Sequence, residues 1–325
     1  MPNYNRGQFI GDAIESILAQ THKKLELIII DDASTDDSLE VIRSFEDSRI
    51  KLICNNENLG VSVARNRGID VAKGNLIAFM DSDDISLACR LEKQLAIFSS
   101  NKNLVICGSW IKFLRSDKRL EFKEKHNEIL TNLLLSCSLS IGTAMVKKSL
   151  FESEKLRPDL TYGEDYELWS RLCWMGEMYN VQEELLYYRS HQNQISVNNK
   201  RQQVLMDAEI RLVLFKKIAY SSLKFPDSLI KKFLLLNGYI SITEFVKYLK
   251  WLQQIRRENA SQNIFPQKEF VEVLESMRSS LILNVFHKKS NIGLNKNWRL
   301  KALLFLRKKE VQEIISKKVK RFLSI

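Results

Sequence analysis

Apolar positions in the first half of the chain recur with two different periods, which predict alternating helices and strands. In Gly7–Gln20 they recur every three or four residues, the period of an amphipathic helix. Short, continuous apolar runs of the buried-strand type follow it. The predicted strands are Leu25–Ile30, Ile50–Cys54, Leu76–Met80, Leu104–Ser109, Thr143–Val146 and a strand or loop at Glu184–Tyr188. The further predicted helices are a segment from an N-cap in Ser34–Asp36 to Phe45, Val61–Ala72, Arg90–Phe98 and a run from Gly163 to Met175.

This order of elements predicts an α/β domain with a mainly parallel, doubly wound sheet sandwiched by helices. From about Lys200 the pattern changes to long helical segments rich in Lys, Leu, Ile and Phe. We therefore expect a domain boundary near Asn198–Lys200. It separates an α/β domain, residues 1–199, from a basic, mainly α-helical C-terminal region, residues 200–325.

Charge is distributed unevenly between these two parts. The chain has a net charge of +11, and residues 200–325 carry 26 Lys and Arg against 10 Asp and Glu. Residues 1–199 are consequently acidic overall, so the two parts are expected to have different tasks. Nucleic acid is not an expected partner, because the chain has no recognisable reading motif and its first part is acidic.

The remaining composition argues against several classes of protein. The 5 cysteines are scattered without a C-x-x-C pair, which gives no support for a zinc site or a disulfide framework. The sequence has no Walker-type loop and no G-x-G-x-x-G turn. No segment reaches the roughly 18 apolar residues of a spanning helix, and the N-terminus lacks the apolar region of a signal peptide. We expect a cytoplasmic location, with peripheral attachment to the inner face of a membrane where the basic surface binds it.

Two of the predicted strands end in carboxylates. Asp31 and Asp32 follow Leu25–Ile30, and Asp81, Asp83 and Asp84 follow Leu76–Met80. In open α/β sheets, ligands bind at the rim formed by the carboxyl ends of the strands. Like charges at such a rim repel one another unless a cation neutralises them. The pattern predicts a metal-assisted site for a phosphate-bearing ligand.

Several motifs, in their order along the chain, resemble the family-2 glycosyltransferases, which have the GT-A fold. They are Tyr4–Arg6, Ser16–Thr21, Ile29–Asp36, Asn58–Val61, Ala64–Gly68, Asp81–Asp84, Gly163–Tyr166 and Tyr188–His191. The resemblance covers roughly residues 2–196 and leaves the C-terminal region uncovered. It implies a GT-A nucleotide-sugar-binding catalytic domain followed by a helical region.

The resemblance also implies roles for the acidic residues of the donor site. Asp81-Ser82-Asp83 resembles the DXD motif, in which carboxylates hold Mg²⁺ or Mn²⁺ against the diphosphate of a nucleotide-sugar. Asp83 is the predicted metal ligand, and Asp81 is placed near the ribose or the metal. Asp32 is expected to accept a hydrogen bond from the nucleotide base, which favours uridine over cytidine. The alternative for these acids is that they only cap the helices that follow.

Further residues are assigned to the site on the same resemblance. Tyr4 is expected to pack beside the base, and Arg65 to face the nucleotide, although a solvated position on the helix surface is equally compatible with its sequence. Glu164 and Asp165 are predicted to work on the acceptor, with Asp165 as the base that takes the proton of the attacking hydroxyl. Stabilisation of a helix N-terminus by these two acids is the simpler alternative.

Two residues near the end of the matched region complete the predicted site. Arg189 and His191 are predicted diphosphate contacts, and His191 is also a potential metal ligand. A purely structural role for this histidine remains an alternative.

One departure from the family pattern lies at the N-terminus. Family members usually have a complete apolar strand before a Pro-Thr-Tyr-Asn turn, whereas this chain reads Met1-Pro2-Asn3-Tyr4-Asn5. We expect the first strand to be nearly absent. A strand at that place would lie inside the sheet, so its loss would expose neighbouring strand edges.

The basic C-terminal region is open to two interpretations. Leu304, Val311 and Ile314 begin an apolar face that continues to Phe322, with lysines and arginines around it. A basic amphipathic helix of this kind is typical of anionic membrane surfaces. Alternatively, Phe233–Leu252 and Leu300–Leu323 pack on each other and their lysines face water.

We therefore expect a metal-dependent, inverting glycosyltransferase. It would move a sugar from a nucleotide-sugar, a UDP-sugar by preference, to a hydroxyl of a glycan or lipid-linked acceptor in bacterial surface polysaccharide or lipopolysaccharide synthesis. The competing hypothesis is a non-catalytic protein that binds membranes or polyanions through a degenerate, truncated transferase domain.

Overall fold

A computed structural model describes residues 1–191, 199–235, 240–286, 301–312 and 314 of the chain. It divides into two compact units, Met1–Asp207 and Ala208–Ile325. This division falls within one helix, seven residues after the start of the predicted helical region at Lys200.

The first unit contains nine strands and six helices of the α type among its described residues. The strands are β1 (Pro2–Asn3), β2 (Leu27–Asp31), β3 (Ile50–Cys54), β4 (Leu76–Ala78), β5 (Ile85–Ser86), β6 (Leu104–Phe113), β7 (Arg119–Leu120), β8 (Met145–Lys147) and β9 (Glu177–Tyr188). The helices are α1 (Gly7–Leu18), α2 (Ser38–Arg43), α3 (Val61–Val71), α4 (Arg90–Ser100), α5 (His126–Asn132) and α6 (Glu164–Leu172). Helix α7 (Lys200–Phe215) crosses into the second unit.

A three-stranded parallel sheet, in the order β1-β2-β3, supports the first part of the site. Its register places Asn3, Asp31 and Cys54 side by side at the carboxyl ends of the strands. As expected, β1 is reduced to two residues. Strand β1 lies at the edge of this sheet, whereas the family pattern predicts a first strand inside the sheet.

The second sheet has the order β4-β8-β6-β9-β5, and β7 pairs with β6. The longest ladder, β6 with β9, is parallel, while β8 runs antiparallel to both β4 and β6. Strand β9 is longer than the sequence predicted, since it begins at Glu177 and not at Glu184. Residues 177–183 mix polar and apolar side chains, so no continuous apolar run marks them as part of the strand.

The predicted helix caps were less accurate than the helices themselves. Helix α2 begins at Ser38 and not after Ser34. Ser34 is held instead by Asp31, whose Oδ1 accepts from the serine hydroxyl at 2.6 Å. Ala33 adopts a left-handed conformation with φ 62°, which no helix can include. Hydrogen bonds from this turn to the side chains of Asp31 and Asn5 therefore take the place of the predicted cap and delay the helix.

The second unit is helical in its described part. It contains α8 (Asp227–Leu235), α9 (Ile242–Gln262) and α10 (Gln267–Phe286), together with the end of α7. The predicted helical segment Phe233–Leu252 is not continuous. Ser241 begins a new helix through a capping box, in which Ser241 and Glu244 each accept from the other's backbone N–H.

The predicted helix Leu300–Leu323 is also interrupted. Helical residues 301–303 and 308–312 flank a turn at 304–307. The N–H of Arg307 donates to the Glu310 carboxylate at 2.7 Å, so Arg307 restarts the helix and separates Leu304 from the apolar face that follows. The rest of the predicted face, from residue 315 onward, lies outside the described residues. In the described part of the chain, no helix is both long and apolar enough to cross a membrane.

Candidate active site

The acidic turn that follows β4 is the centre of the candidate site. Asp81, Asp83 and Asp84 lie on this turn, and Asp84 is almost completely buried. Burial, together with the charges of Asp81 and Asp83, raises the pKa of Asp84 to about 8. Its Oδ1 accepts a hydrogen bond from the backbone N–H of Arg189 at 3.0 Å. The turn thus gathers negative charge and is tied to the end of β9.

Gly142 and Arg90 border the acidic turn. A Cβ added to Gly142 would lie 3.4 Å from Oδ2 of Asp81 and 3.6 Å from Oδ2 of Asp84. The guanidinium of Arg90, fully buried, donates to the carbonyl oxygens of Phe79 and Gly142 at 3.2 and 2.5 Å. Burial lowers the pKa of Arg90 to about 10, which leaves it cationic at neutral pH. Arg90 therefore fixes both segments that enclose the acidic turn.

Arg65, on helix α3, connects the acidic turn with the start of helix α6. One guanidinium nitrogen donates to Asp81 Oδ1 and the other to Glu164 Oε1, both at 2.8 Å. The side chain of Arg65 is only 5% exposed. Burial alone would lower its pKa, but Asp81 and Glu164 outweigh that effect and raise it. The solvated position considered for Arg65 is wrong, since it lies buried between two carboxylates.

Helix α6 begins with the two acids predicted to serve the acceptor. Gly163 precedes it with φ 68°, a left-handed conformation that glycine adopts without strain. Asp165 accepts a hydrogen bond from the N–H of Tyr166 at 2.7 Å. Burial and the neighbouring Glu164 raise the pKa of Asp165 to about 7, although Arg65 opposes the shift. A carboxyl group with such a pKa is well suited to general base catalysis near neutral pH.

Asp83 is in contact with two cationic or potentially cationic side chains. Its Oδ2 lies 3.3 Å from Nε of Arg6 and 3.0 Å from Nε2 of His191. The imidazole of His191 stacks on Phe9, with ring centroids 4.7 Å apart. Arg189 lies over the same ring at 5.4 Å and forms an ion pair with Asp12 at 2.5 Å. Through Phe9 and Asp12, helix α1 therefore holds Arg189 and His191 beside the acidic turn.

Asp32 occupies the end of β2 and has several protein partners. Its Oδ1 accepts from the Asn55 side chain at 2.6 Å and from the N–H of Leu59 at 3.0 Å. Its Oδ2 accepts from the N–H of Gly60 at 2.8 Å. Asp32 thereby shapes the loop before helix α3. Tyr4 lies on the turn between β1 and helix α1 and is 42% exposed.

The sequence did not single out several residues that the structure brings into the site. These residues are Arg6, Phe9, Asp12, Arg90 and Gly142. Arg6 lies inside a recognised motif, so its position was a usable signal. Phe9 fits the apolar period of the helix predicted over Gly7–Gln20, and that pattern gives it no separate role. No local pattern distinguishes Arg90 or Gly142, because their roles depend on contacts across the fold.

The cofactor that the family resemblance implies is Mg²⁺ or Mn²⁺. Among the described residues, no cluster of three or more His, Cys, Asp or Glu side chains is arranged to hold a metal by itself. Mg²⁺ is commonly held by one or two carboxylates and completes its shell with water and substrate phosphates. Asp83 and Asp81 supply that donor set, so the residues present fit such an ion when a diphosphate is also bound.

Comparison with known proteins identifies the family. The model of the family described as glycosyl transferase family 2 matches residues 1–152. An uncharacterized glycosyltransferase of Haemophilus influenzae is 34% identical over 205 residues, which cover 59% of this chain and 74% of the relative. The chain belongs to glycosyltransferase family 2.

Two further relatives have more specific names. An Escherichia coli protein named UDP-Glc:alpha-D-GlcNAc-diphosphoundecaprenol beta-1,3-glucosyltransferase WfgD is 32% identical, with 52% of this chain and 66% of the relative covered. The putative teichuronic acid biosynthesis glycosyltransferase TuaG of Bacillus subtilis is 29% identical, with 71% and 94% covered. The chain spans 65% of another Haemophilus influenzae glycosyltransferase but only 31% of one from Rickettsia felis.

Solved structures confirm the predicted GT-A fold. S. aureus TarS 1-349, crystallised with UDP-GlcNAc, superposes with a TM-score of 0.57 at 16% identity, and 88% of this chain and 83% of TarS are covered. A Pyrobaculum calidifontis mannosyltransferase, in complex with GDP-Man and Mn²⁺, has a TM-score of 0.51 at 13% identity, with 89% and 86% covered. At these identities the likeness concerns the fold.

Proposed function

We propose that this family-2 glycosyltransferase transfers a sugar from a UDP-sugar to a hydroxyl group, with the help of a divalent metal and with inversion at the anomeric carbon. One observation carries the proposal. Arg65 joins the acidic turn, through Asp81, to the candidate base segment, through Glu164, with both contacts at 2.8 Å. The donor site and the acceptor site would therefore share Arg65 as a common support.

On the donor side, Asp83 and Asp81 would hold Mg²⁺ or Mn²⁺ together with the diphosphate. When bound, the metal would offset the negative charge of the departing nucleoside diphosphate. Arg189 and His191 would contact the diphosphate and orient it. Asp32 would accept from the base N–H, with Tyr4 beside it, which favours uridine because a carboxylate offers no donor. Known structures of this fold with UDP-GlcNAc, and with GDP-Man and Mn²⁺, support the ligand class.

On the acceptor side, Asp165 would take the proton of the attacking hydroxyl while Glu164 positions the acceptor. The bond to the anomeric carbon forms on the face opposite the departing diphosphate, which inverts the configuration. A pKa near 7 keeps a large fraction of Asp165 ionised at neutral pH while preserving its basicity. Arg65 would hold Glu164 in place and keep Asp165 from becoming a still weaker acid.

The setting we propose is the synthesis of a bacterial surface polysaccharide or lipopolysaccharide, on a glycan or lipid-linked acceptor. The names of the WfgD and TuaG relatives support this class of product. The enzyme would work in the cytoplasm, at the inner face of the membrane, where its basic helical region would meet anionic lipid.

Calorimetry of UDP binding, with and without Mn²⁺, tests the donor site. We expect Mn²⁺ to strengthen binding to the wild-type chain, and Asp83→Ala to abolish that effect. Asp117→Ala, which removes an exposed carboxylate elsewhere, is the matched control and should bind normally. Metal-independent binding, or a normal response of Asp83→Ala, would contradict the proposed metal site. NMR of the first-formed product tests inversion, since retention of the donor configuration would exclude it.

A further inference from the structure

Four cations on helix α9 of the second unit have no carboxylate partner among the residues that the structure describes. Lys247, Lys250, Arg256 and Arg257, which we call the basic face, are distributed over the solvent-exposed half of helix α9. Within the described residues, none of the four has a carboxylate oxygen within 4.0 Å. By contrast, Lys232 pairs with Glu244 at 2.6 Å on the neighbouring surface. The basic face is therefore available to an external anion.

A cavity of about 400 Å³ opens at the end of the basic face. It is lined by Gln253, Arg256, Arg257, Ala260, Gln267 and Arg307. Gln267 begins helix α10, a 20-residue helix whose N-terminal dipole also favours an anion. The guanidinium groups of Arg256 and Arg257 and the two amides match the hydrogen-bond acceptors of a phosphate group, whereas the guanidinium of Arg307 is paired with Glu275 at 2.6 Å. The cavity therefore offers hydrogen-bond donors to a phosphate-bearing head group.

Two apolar side chains protrude beside this cavity. Leu304 is 83% exposed and Phe305 is 45% exposed, and we call this pair the apolar tip. It lies two residues from Arg307 and is flanked by the exposed Lys301, Lys308 and Lys309. Large apolar residues next to lysines and arginines are typical of surfaces that enter the boundary between lipid head groups and acyl chains.

The apolar tip is held in place by a buried ion pair. Arg278 on helix α10 binds Glu310 at 2.5 and 2.9 Å, with side chains only 7% and 10% exposed. Glu310 also accepts from the N–H of Arg307, and Arg278 donates to the carbonyl oxygen of Phe305 at 3.4 Å. These hydrogen bonds fix the turn at Phe305 and at Arg307. The exposed side chains of Leu304 and Phe305 therefore have a defined position.

We propose that the basic face, the cavity and the apolar tip form a docking surface for an anionic lipid membrane. A lipid phosphate would occupy the cavity and contact Arg256 and Arg257, while Leu304 and Phe305 enter the head-group boundary. The inference gives a physical site to the membrane setting proposed above. It does not depend on the transferase chemistry, because the measurement of UDP binding tests the donor site in a separate experiment.

Co-sedimentation with vesicles tests this surface on the full-length chain. The probes are vesicles of phosphatidylcholine alone and vesicles containing phosphatidylglycerol in addition. We expect binding to the anionic vesicles that weakens as salt rises from 0.1 to 0.5 M. In Arg256→Ala/Arg257→Ala, binding should fall by about 25-fold, because each cation near an anionic leaflet contributes roughly a fivefold factor. Leu304→Ser/Phe305→Ser should reduce binding by about tenfold or more, with little dependence on salt.

A charge-matched control separates a defined site from general attraction. Lys51→Ala/Lys73→Ala removes two exposed cations from the first unit and should leave vesicle binding nearly unchanged. Equal losses in the control and in the arginine variant would overturn the proposal. So would binding of soluble glycerol phosphate, or of nucleic acid, without binding of anionic vesicles. Unchanged circular dichroism and UDP binding of each variant would show that folding and the donor site are intact.

Discussion

Replacement of Arg65 by methionine should destabilise the protein by about 3 kcal/mol. The guanidinium is 5% exposed and binds Asp81 and Glu164, whose side chains are 29% and 15% exposed. Removing one partner of a buried ion pair costs about 3–5 kcal/mol, because a charge is left buried without compensation. Because Asp81 is partly exposed, we expect a loss of stability at the lower end of this range. Methionine preserves most of the side-chain volume, so cavity formation adds little.

Urea and thermal unfolding of the purified chain measure this effect. For a cooperative unit of roughly 200 residues, about 3 kcal/mol corresponds to a loss of about 6–12 °C in Tm. Arg67→Met, on the same helix but exposed, is the control and should change stability by less than about 1 kcal/mol. The double variant Arg65→Met/Glu164→Gln should regain part of the loss, since it removes one stranded carboxylate.

The single variant Arg65→Met should also alter the pH dependence of sugar transfer. Arg65 lowers the pKa of Asp165, against the raising effects of burial and Glu164. Without Arg65 the pKa of Asp165 rises further, so the acidic limb of the rate profile should move to higher pH. Equal stability of Arg65→Met and Arg67→Met, together with an unshifted profile, would refute the role that we assign to Arg65.

Two other variants test single contacts of the site. Asp165→Asn should be more stable than the wild type at pH 8 by up to about 2 kcal/mol, after allowance for partial exposure. The raised pKa of Asp165 disfavours folding only where the unfolded carboxyl is ionised, so the difference should grow between pH 4 and 7 and vanish near pH 4. Urea unfolding across this range measures it, and a gain independent of pH would argue against the raised pKa. Phe9→Leu should weaken Mn²⁺-dependent UDP binding about three- to tenfold, because it removes the ring against which His191 and Arg189 pack. Phe9→Tyr should restore the affinity in calorimetry, and a similar loss in both variants would contradict a role of the ring.

Local sequence patterns were sufficient for most elements of the first unit. The strand Ile50–Cys54 was predicted with its observed bounds, and the starts of α1 and α3 were placed correctly. Such short elements are recognisable because one face, or both, is covered by the core and must be apolar. Element ends were less accurate, since turns such as Ala33–Asp37 satisfy their polar groups through side chains from elsewhere in the chain.

The site residues were also assigned from the sequence, but their contacts were not. Motif order brought Asp81, Asp83, Glu164 and Asp165 together as a hypothesis. It did not show that Arg65 lies buried between two of these carboxylates, 16 and 99 residues away along the chain. Nor did it show that Phe9, an apolar residue of α1, supports His191.

The composition of the second unit showed that it was basic and helical, yet its surface was decided by the tertiary structure. The apolar period from Leu304 onward predicted one amphipathic helix, whereas the Arg278–Glu310 ion pair interrupts it and exposes Leu304 and Phe305. Period and composition depend on neighbours in the chain, so they determine which segments are helices or strands. The burial of an arginine, the pKa of a carboxyl group and the exposure of an apolar turn depend on residues distant in sequence. These properties arise only when the chain is folded.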